Sequence, residues 1–306
     1  MMRSREEIKE YAKQAFFAQR KPATLAMFLV FLPMIVPMVL YFLMILLPIL
    51  VSGFGGSISV VGVFSAIGFF LIWLVVMGVS WFLFPVLNTN LNGFFVKVFY
   101  GQQVVSSEPY TDLKINFGRK LGGFYWMYLW LYLWSLLATP LIIVIVIVWV
   151  TMLSSITSLA VGVMAAIIMP IVTMSVAFIP LIIKFLAYCM SPFILSTHPN
   201  VTAINALNLS KRMTRGYRGK IFVMGLSFIG WHILNGLTLG ILGIFFVGPY
   251  VYTTMAGYFV ELRHTAITNG TIHPGEFEGM IPVSQAYYGE YSQQPPQPYN
   301  GYPPMR

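Results

Sequence analysis

Acidic side chains are scarce in this sequence, nine Asp and Glu among 306 residues, and cysteine occurs once, as Cys189. A lone thiol excludes an intramolecular disulfide and a cysteine metal cluster, and it reads as a small buried apolar residue. Within the long apolar runs no Asp or Glu occurs except Glu261, at the end of the last run. Proton-driven carriers keep an ionisable group near the bilayer midplane, so that coupling mechanism is not expected. His198, His232, His264 and His273 are scattered without metal-ligand spacing. No nucleophile elbow or phosphate loop stands in a suitable context. The chain is therefore expected not to be an enzyme and to bind no cofactor or metal.

What is present is apolar. Hydrophobic residues make up 58% of the chain and charged residues 9%, against roughly a quarter charged in a soluble domain. The net charge of +9 would suggest nucleic acid in a soluble protein. Here the cations flank apolar spans, which points to membrane orientation and lipid contact, and nucleic-acid binding is not expected. Runs at 23–51, 60–84, 124–152, 159–183, 221–239 and 241–262 are each about long enough to cross a hydrocarbon core of about 30 Å. Six Lys/Arg precede the first run, four lie between the second and third, six between Ile183 and Ile221, and two follow the last, together all eighteen. Six spans with both termini cytoplasmic place every cation on one side. Fusing Ile221 to Val247 into one span is the alternative, so the last hairpin is the weakest part of this topology.

The predicted fold is all-α: a polytopic membrane helix bundle of about six spans in three hairpins, each preceded by an amphipathic cytoplasmic surface helix. Residues 1–22 form the first such helix, 23–265 the membrane domain, and 266–306 a disordered tail rich in Pro, Tyr and Gly. Ser4 and Glu7 form a capping box, followed by Ile8, Tyr11, Ala12, Ala15 and Phe16 at helical spacing. That helix either lies on the membrane or packs on cytoplasmic loops. Tyr110, Leu113, Phe117 and Leu121 mark a second surface helix, and Asn200 to Arg215 a third, ended by Gly216. Pro33, Pro37 and Pro48 bend the first span, and Pro85 stops the second. Neighbouring helices must cover the carbonyls that proline frees inside a bilayer. Asn88, Asn90 and Asn92 resemble a calcium loop in spacing but lack its acidic ligands. Tyr125, Trp126, Tyr128, Trp130, Tyr132 and Trp134 form an interfacial belt.

Ser191-Pro-Phe-Ile-Leu195, Ser210-Lys-Arg-Met213, Leu226-Ser-Phe-Ile-Gly-Trp231, Leu237-Thr-Leu-Gly240 and Pro249-Tyr250 together resemble the bacterial integral-membrane family catalogued as domain of unknown function 975. Arg5 to Lys9, Trp134-Ser-Leu-Leu137 and Ile179-Pro-Leu-Ile-Ile-Lys184 extend the likeness upstream. In that family the Trp-Ser-Leu-Leu and Ile-Pro elements lie close together, whereas about forty mainly apolar residues separate them here. The resemblance implies a multi-pass protein of a bacterial plasma membrane and no known activity.

Two functional readings follow. The first is a non-enzymatic protein that binds membrane lipid, anionic lipid in particular, through Arg212, Arg215, Arg218 and Lys220, with the tail tethering a protein partner. The second is a transporter or channel for an apolar or neutral solute. His232 and Asn235, one turn apart, are the intramembrane polar pair; they hold the last hairpin by an interhelical hydrogen bond or contact a ligand.

Overall fold

The computed structural model describes residues 3–51, 60–154 and 178–279, and every regular element among them is helical. In chain order these are α1 (Arg5–Ala18), α2 (Arg20–Val51), α3 (Val60–Phe99), α4 (Glu108–Thr111), a 3-10 turn (Asp112–Lys114), α5 (Phe117–Ser154) and α6 (178–188). There follow α7 (Ser191–Thr197), α8 (Ala203–Met213), α9 (Arg218–Leu226), α10 (Ile229–Leu237), a π-turn (Gly243–Val247), α11 (Gly248–Thr268) and α12 (Pro274–Phe277). Four helical stretches, Arg20–Leu46, Ile67–Phe99, Phe178–Thr197 and Arg218–Leu237, are long and apolar enough to cross a membrane. Residues 52–59 between the first two predicted spans, most of the span at 159–183 and the tail beyond Gly279 lie outside the described residues.

The predicted capping box is present: the Glu7 amide donates to the Ser4 hydroxyl at 3.2 Å, and the Ser4 amide to the Glu7 carboxylate at 2.8 Å. Of the two readings of α1, packing is the one observed. Ile8, Ala12 and Phe16 are fully buried against α11 and α3. The Arg3 guanidinium lies 3.3 Å from the buried Glu261 carboxylate of α11. At its other end α1 places Phe16 and Phe17 against Phe246, with ring centroids 6.0 and 6.1 Å apart. The two helices therefore run antiparallel.

Three of the carbonyls that proline frees are met by neighbours, as a dry environment requires. Pro33 leaves the Leu29 carbonyl of α2 without an intrahelical donor, and the Tyr110 hydroxyl donates to it at 2.7 Å. Pro85 does the same to Trp81, which accepts from the Tyr125 hydroxyl at 2.6 Å. Pro249 frees Phe245, whose carbonyl accepts from Thr24 at 3.4 Å. This corrects the expected stop at Pro85: with its lost bond replaced from α5, α3 continues to Phe99. The second predicted surface helix is also revised. Asn116 takes a left-handed φ of 53°, which separates a short turn from α5, and α5 then runs unbroken from Phe117.

The core lies at the charged end. Its residues come from α1, the start of α2, the end of α3, α7, α8, α9, α11 and α12. At its centre is α11, buried from Tyr250 through Ala266 on nearly every face. Gly257 allows that packing: a Cβ there would stand 2.5 Å from the Phe99 ring. From Gly248 on, the sixth apolar run thus forms a central core helix, while Ile241 and Phe245 at its start are exposed; a helix apolar all round suits either environment. The outer parts of α2, α3 and α5 expose Met38, Phe42, Val75, Trp81 and Ile147 instead.

Candidate anion-binding site

The cations divide by what they touch. Lys97 pairs with Glu108 at 2.8 Å. Arg119 binds the carbonyls at the exit of α7, donating to Leu195 at 2.7 Å, His198 at 3.2 Å and Val201 at 2.6 Å, where a cation also suits the helix dipole. Lys120 is buried and donates to Asn90 Oδ1 at 2.6 Å, and its burial lowers its pKa. The alternating asparagines are thus structural: Asn90 also donates to the Pro109 carbonyl, and Asn88 accepts from Tyr252.

Arg212, one of the predicted lipid contacts, is engaged inside the protein. Its Nη1 lies 2.5 Å from Oε2 of the fully buried Glu276, and its Nη2 donates to the Thr271 carbonyl. Glu276 itself closes a capping box at α12 by accepting from the His273 amide at 2.9 Å. Arg212 therefore straps residues 271–277 onto α8.

Lys184, Lys211, Arg215, Arg218 and Lys220, from α6 to the start of α9, have no ion-pair partner among the described residues, as is also true of Lys13, Arg20, Lys21 and Lys114 elsewhere in the fold. Thr202 caps the start of α8, accepting from the Asn205 amide at 3.3 Å. Lys211 stands in the last turn of α8, and Gly216 reverses the chain at φ +85°. Arg218 then opens α9 with no side-chain cap and no acidic residue in its first turn. The free amides and positive dipole end of a helix attract anions, and here they coincide with Arg215, Arg218 and Lys220. Lys184 feels the charges of Lys211 and Arg218, and its Nζ sits 3.8 Å over the Trp134 ring. That cation–π contact places the cluster beside the aromatic belt. The Arg218 Nε is buried without a hydrogen-bond partner.

Of the predicted polar pair, Asn235 closes the last hairpin by accepting from the Gly243 amide at 2.6 Å. His232 is exposed and does not share that bond. Sequence reasoning missed two features. Lys184 joins the cluster from α6, a helix remote in sequence. A cavity of about 390 Å³ between α2, α3 and the start of α5 is lined by Pro37, Tyr41, Trp73, Met77, Trp81 and Phe124, among others. Two of its polar groups are already used: Trp73 Nε1 donates to the Pro37 carbonyl at 3.0 Å, and Ser80 Oγ to Val76 at 2.7 Å.

A family model described as "Protein of unknown function (DUF975)" matches residues 1–266. No curated protein and no solved structure matches.

Proposed function

We propose, from the premise that this chain belongs to the DUF975 family, that it is a non-catalytic membrane protein that holds the phosphate of an anionic lipid at the start of α9. The carrying observation is the uncapped first turn of α9 beside the unpaired Arg215, Arg218 and Lys220. Lys211 and Lys184 widen the same field. Arg212 contributes by holding α8 in place rather than by touching lipid. In this reading the charged end faces the cytoplasm of a bacterial cell, both termini lie there, and residues 266–306 tether a protein partner.

Each cation near an anionic surface contributes on the order of 1 kcal/mol. Replacing Arg215, Arg218 and Lys220 together by Gln should therefore weaken binding about 100-fold. The measurement is native mass spectrometry of the full chain in mild detergent titrated with phosphatidylglycerol. Unchanged retention of that lipid in the triple variant, with helicity intact, overturns the reading.

The second reading, passage of an apolar or neutral solute, has the cavity between α2, α3 and α5 in its favour. Solute flux into vesicles, abolished by Met77→Trp within that cavity, is the result expected of it; no flux into vesicles removes it.

A further inference from the structure

Arg218–Leu237 is long and apolar enough to cross a bilayer, but the part of the last hairpin that lies beyond the charged level is not. Ser227 and Phe228 break the helix between α9 and α10, and both are held by Lys9 of α1. Its Nζ donates to Ser227 Oγ at 3.1 Å and lies 4.5 Å over the Phe228 ring. Around it α1 exposes Glu6, Glu10 and Lys13, which fixes this level in water or among head groups. Further along, Trp231 packs on Phe246 with centroids 5.2 Å apart, and Phe246 packs on Phe16 and Phe17 beside the exposed Arg20 and Lys21. Only the residues between Trp231 and Phe246 project past that collar. Half of them in each arm, at about 1.5 Å per residue, reach about 10 Å, a third of a hydrocarbon core of about 30 Å.

The turn at the end of those arms is built for a dry surrounding. Leu237, Leu239 and Ile241 are 78%, 92% and 61% exposed. Every backbone N–H from Thr238 to Gly243 is satisfied within the hairpin. Thr238 donates to Leu234, Leu239 to Gly236, Gly240 to Asn235 and Ile241 to Thr238. The Leu242 amide meets the Thr238 hydroxyl at 3.3 Å, and the Gly243 amide meets Asn235 Oδ1. Such closure is required in hydrocarbon and unnecessary in water.

The bonds of Leu239 and Gly240 are those of a Schellman cap, whose left-handed position is ordinarily glycine. Here Leu239 occupies it at φ +52°, with Gly240 next in line. A bulky side chain in that conformation is strained. Among the described residues nothing covers Leu239, so the strain has no counterpart in their packing.

We infer that the segment from Trp231 to Phe246 is a re-entrant anchor: it inserts Leu237, Leu239 and Ile241 into the acyl chains of the leaflet nearest the charged end and turns back within that leaflet. The left-handed Leu239 is retained because its side chain is the deepest apolar contact. The anchor does not depend on the anion site, and uncharged lipid tests it separately.

The experiment uses the full chain with Cys189→Ser and either Leu239→Cys or, as a second variant, Leu237→Cys, in phosphatidylcholine vesicles. A cysteine at Ser4 reports the charged end. A membrane-impermeant maleimide should label neither tip cysteine from either side, and both once detergent is added. A nitroxide at the same position should collide with oxygen far more than with a water-soluble nickel chelate. Labelling from the face opposite Ser4→Cys means the hairpin crosses the bilayer, and labelling from the same face means the tip lies in water. Either result overturns the inference. Leu239→Gly relieves the left-handed strain, so it should raise the unfolding midpoint in detergent; a lower midpoint counts against the role given to that side chain.

Discussion

Arg212 and Arg218 stand six positions apart and do opposite work. Arg212 neutralises Glu276, whose side chain is 0% exposed, and removing one partner of a buried pair leaves the other charge without compensation. Arg212→Met should cost about 3 kcal/mol of unfolding free energy, read from denaturant unfolding in micelles, whereas Arg218→Gln should change it by less than about 0.5 kcal/mol. His198 offers a second test at this scale. Burial, then the charges of Arg263 and Arg119, lower its pKa from 6.5 to about 3, and its ring packs 5.1 Å from Phe277. The folded chain thus keeps His198 neutral, while the unfolded chain binds a proton below about pH 6.5, so stability falls as pH drops from 6.5 toward 3. His198→Phe should flatten that slope, measured as the unfolding midpoint against pH. Much at this scale was legible in the sequence where partners are neighbours: Ser4 and Glu7 sit one turn apart. Glu276 was not, because 64 residues separate it from Arg212 and no local pattern links them.

Among the elements, the informative ones are the proline-containing helices. Proline removes a donor wherever it falls, but whether a helix then stops depends on a neighbour that sequence spacing does not show. For α3 that neighbour is Tyr125, so a predicted end at Pro85 became an interior position. Tyr125→Phe should destabilise by about 1 kcal/mol. In Pro85→Ala, where the Trp81 carbonyl regains its own amide donor, the same change should cost less. A double-mutant cycle in micelles measures the difference, and additive effects would show that the hydroxyl does not serve that carbonyl. Helices α1 and α8 were readable because their stripes and caps are local. The region before α5 was not, because its break depends on the left-handed Asn116 rather than on a glycine.

For the molecule as a whole, the apolar pattern showed a helical membrane protein but did not distinguish lipid-facing helices from the core. Both are apolar all round, and α11 was accordingly read as a span. The cations were better guides: in the fold they gather around the packed end, and five of those without an ion-pair partner come from α6, α8 and the start of α9. Hydrogen exchange in lipid nanodiscs should find the amides of 250–262 the last to open, because they lie at the centre of the core. The amides of α1 should open with them if the two helices form one cooperative unit; early exchange of α11 alone would show that the core is not centred there.

The pairing of α1 with α11 also sets an order in time. Arg3 and Glu261 meet across 258 positions of chain, so α1 leaves the ribosome long before its partner. At about 5–20 residues per second that interval is roughly 10–50 s. During it the outer hairpins are already entering lipid while Ile8, Ala12 and Phe16 have no partner. Glu6, Glu10 and Lys13, exposed on another face of α1, give the waiting segment a side that water can solvate.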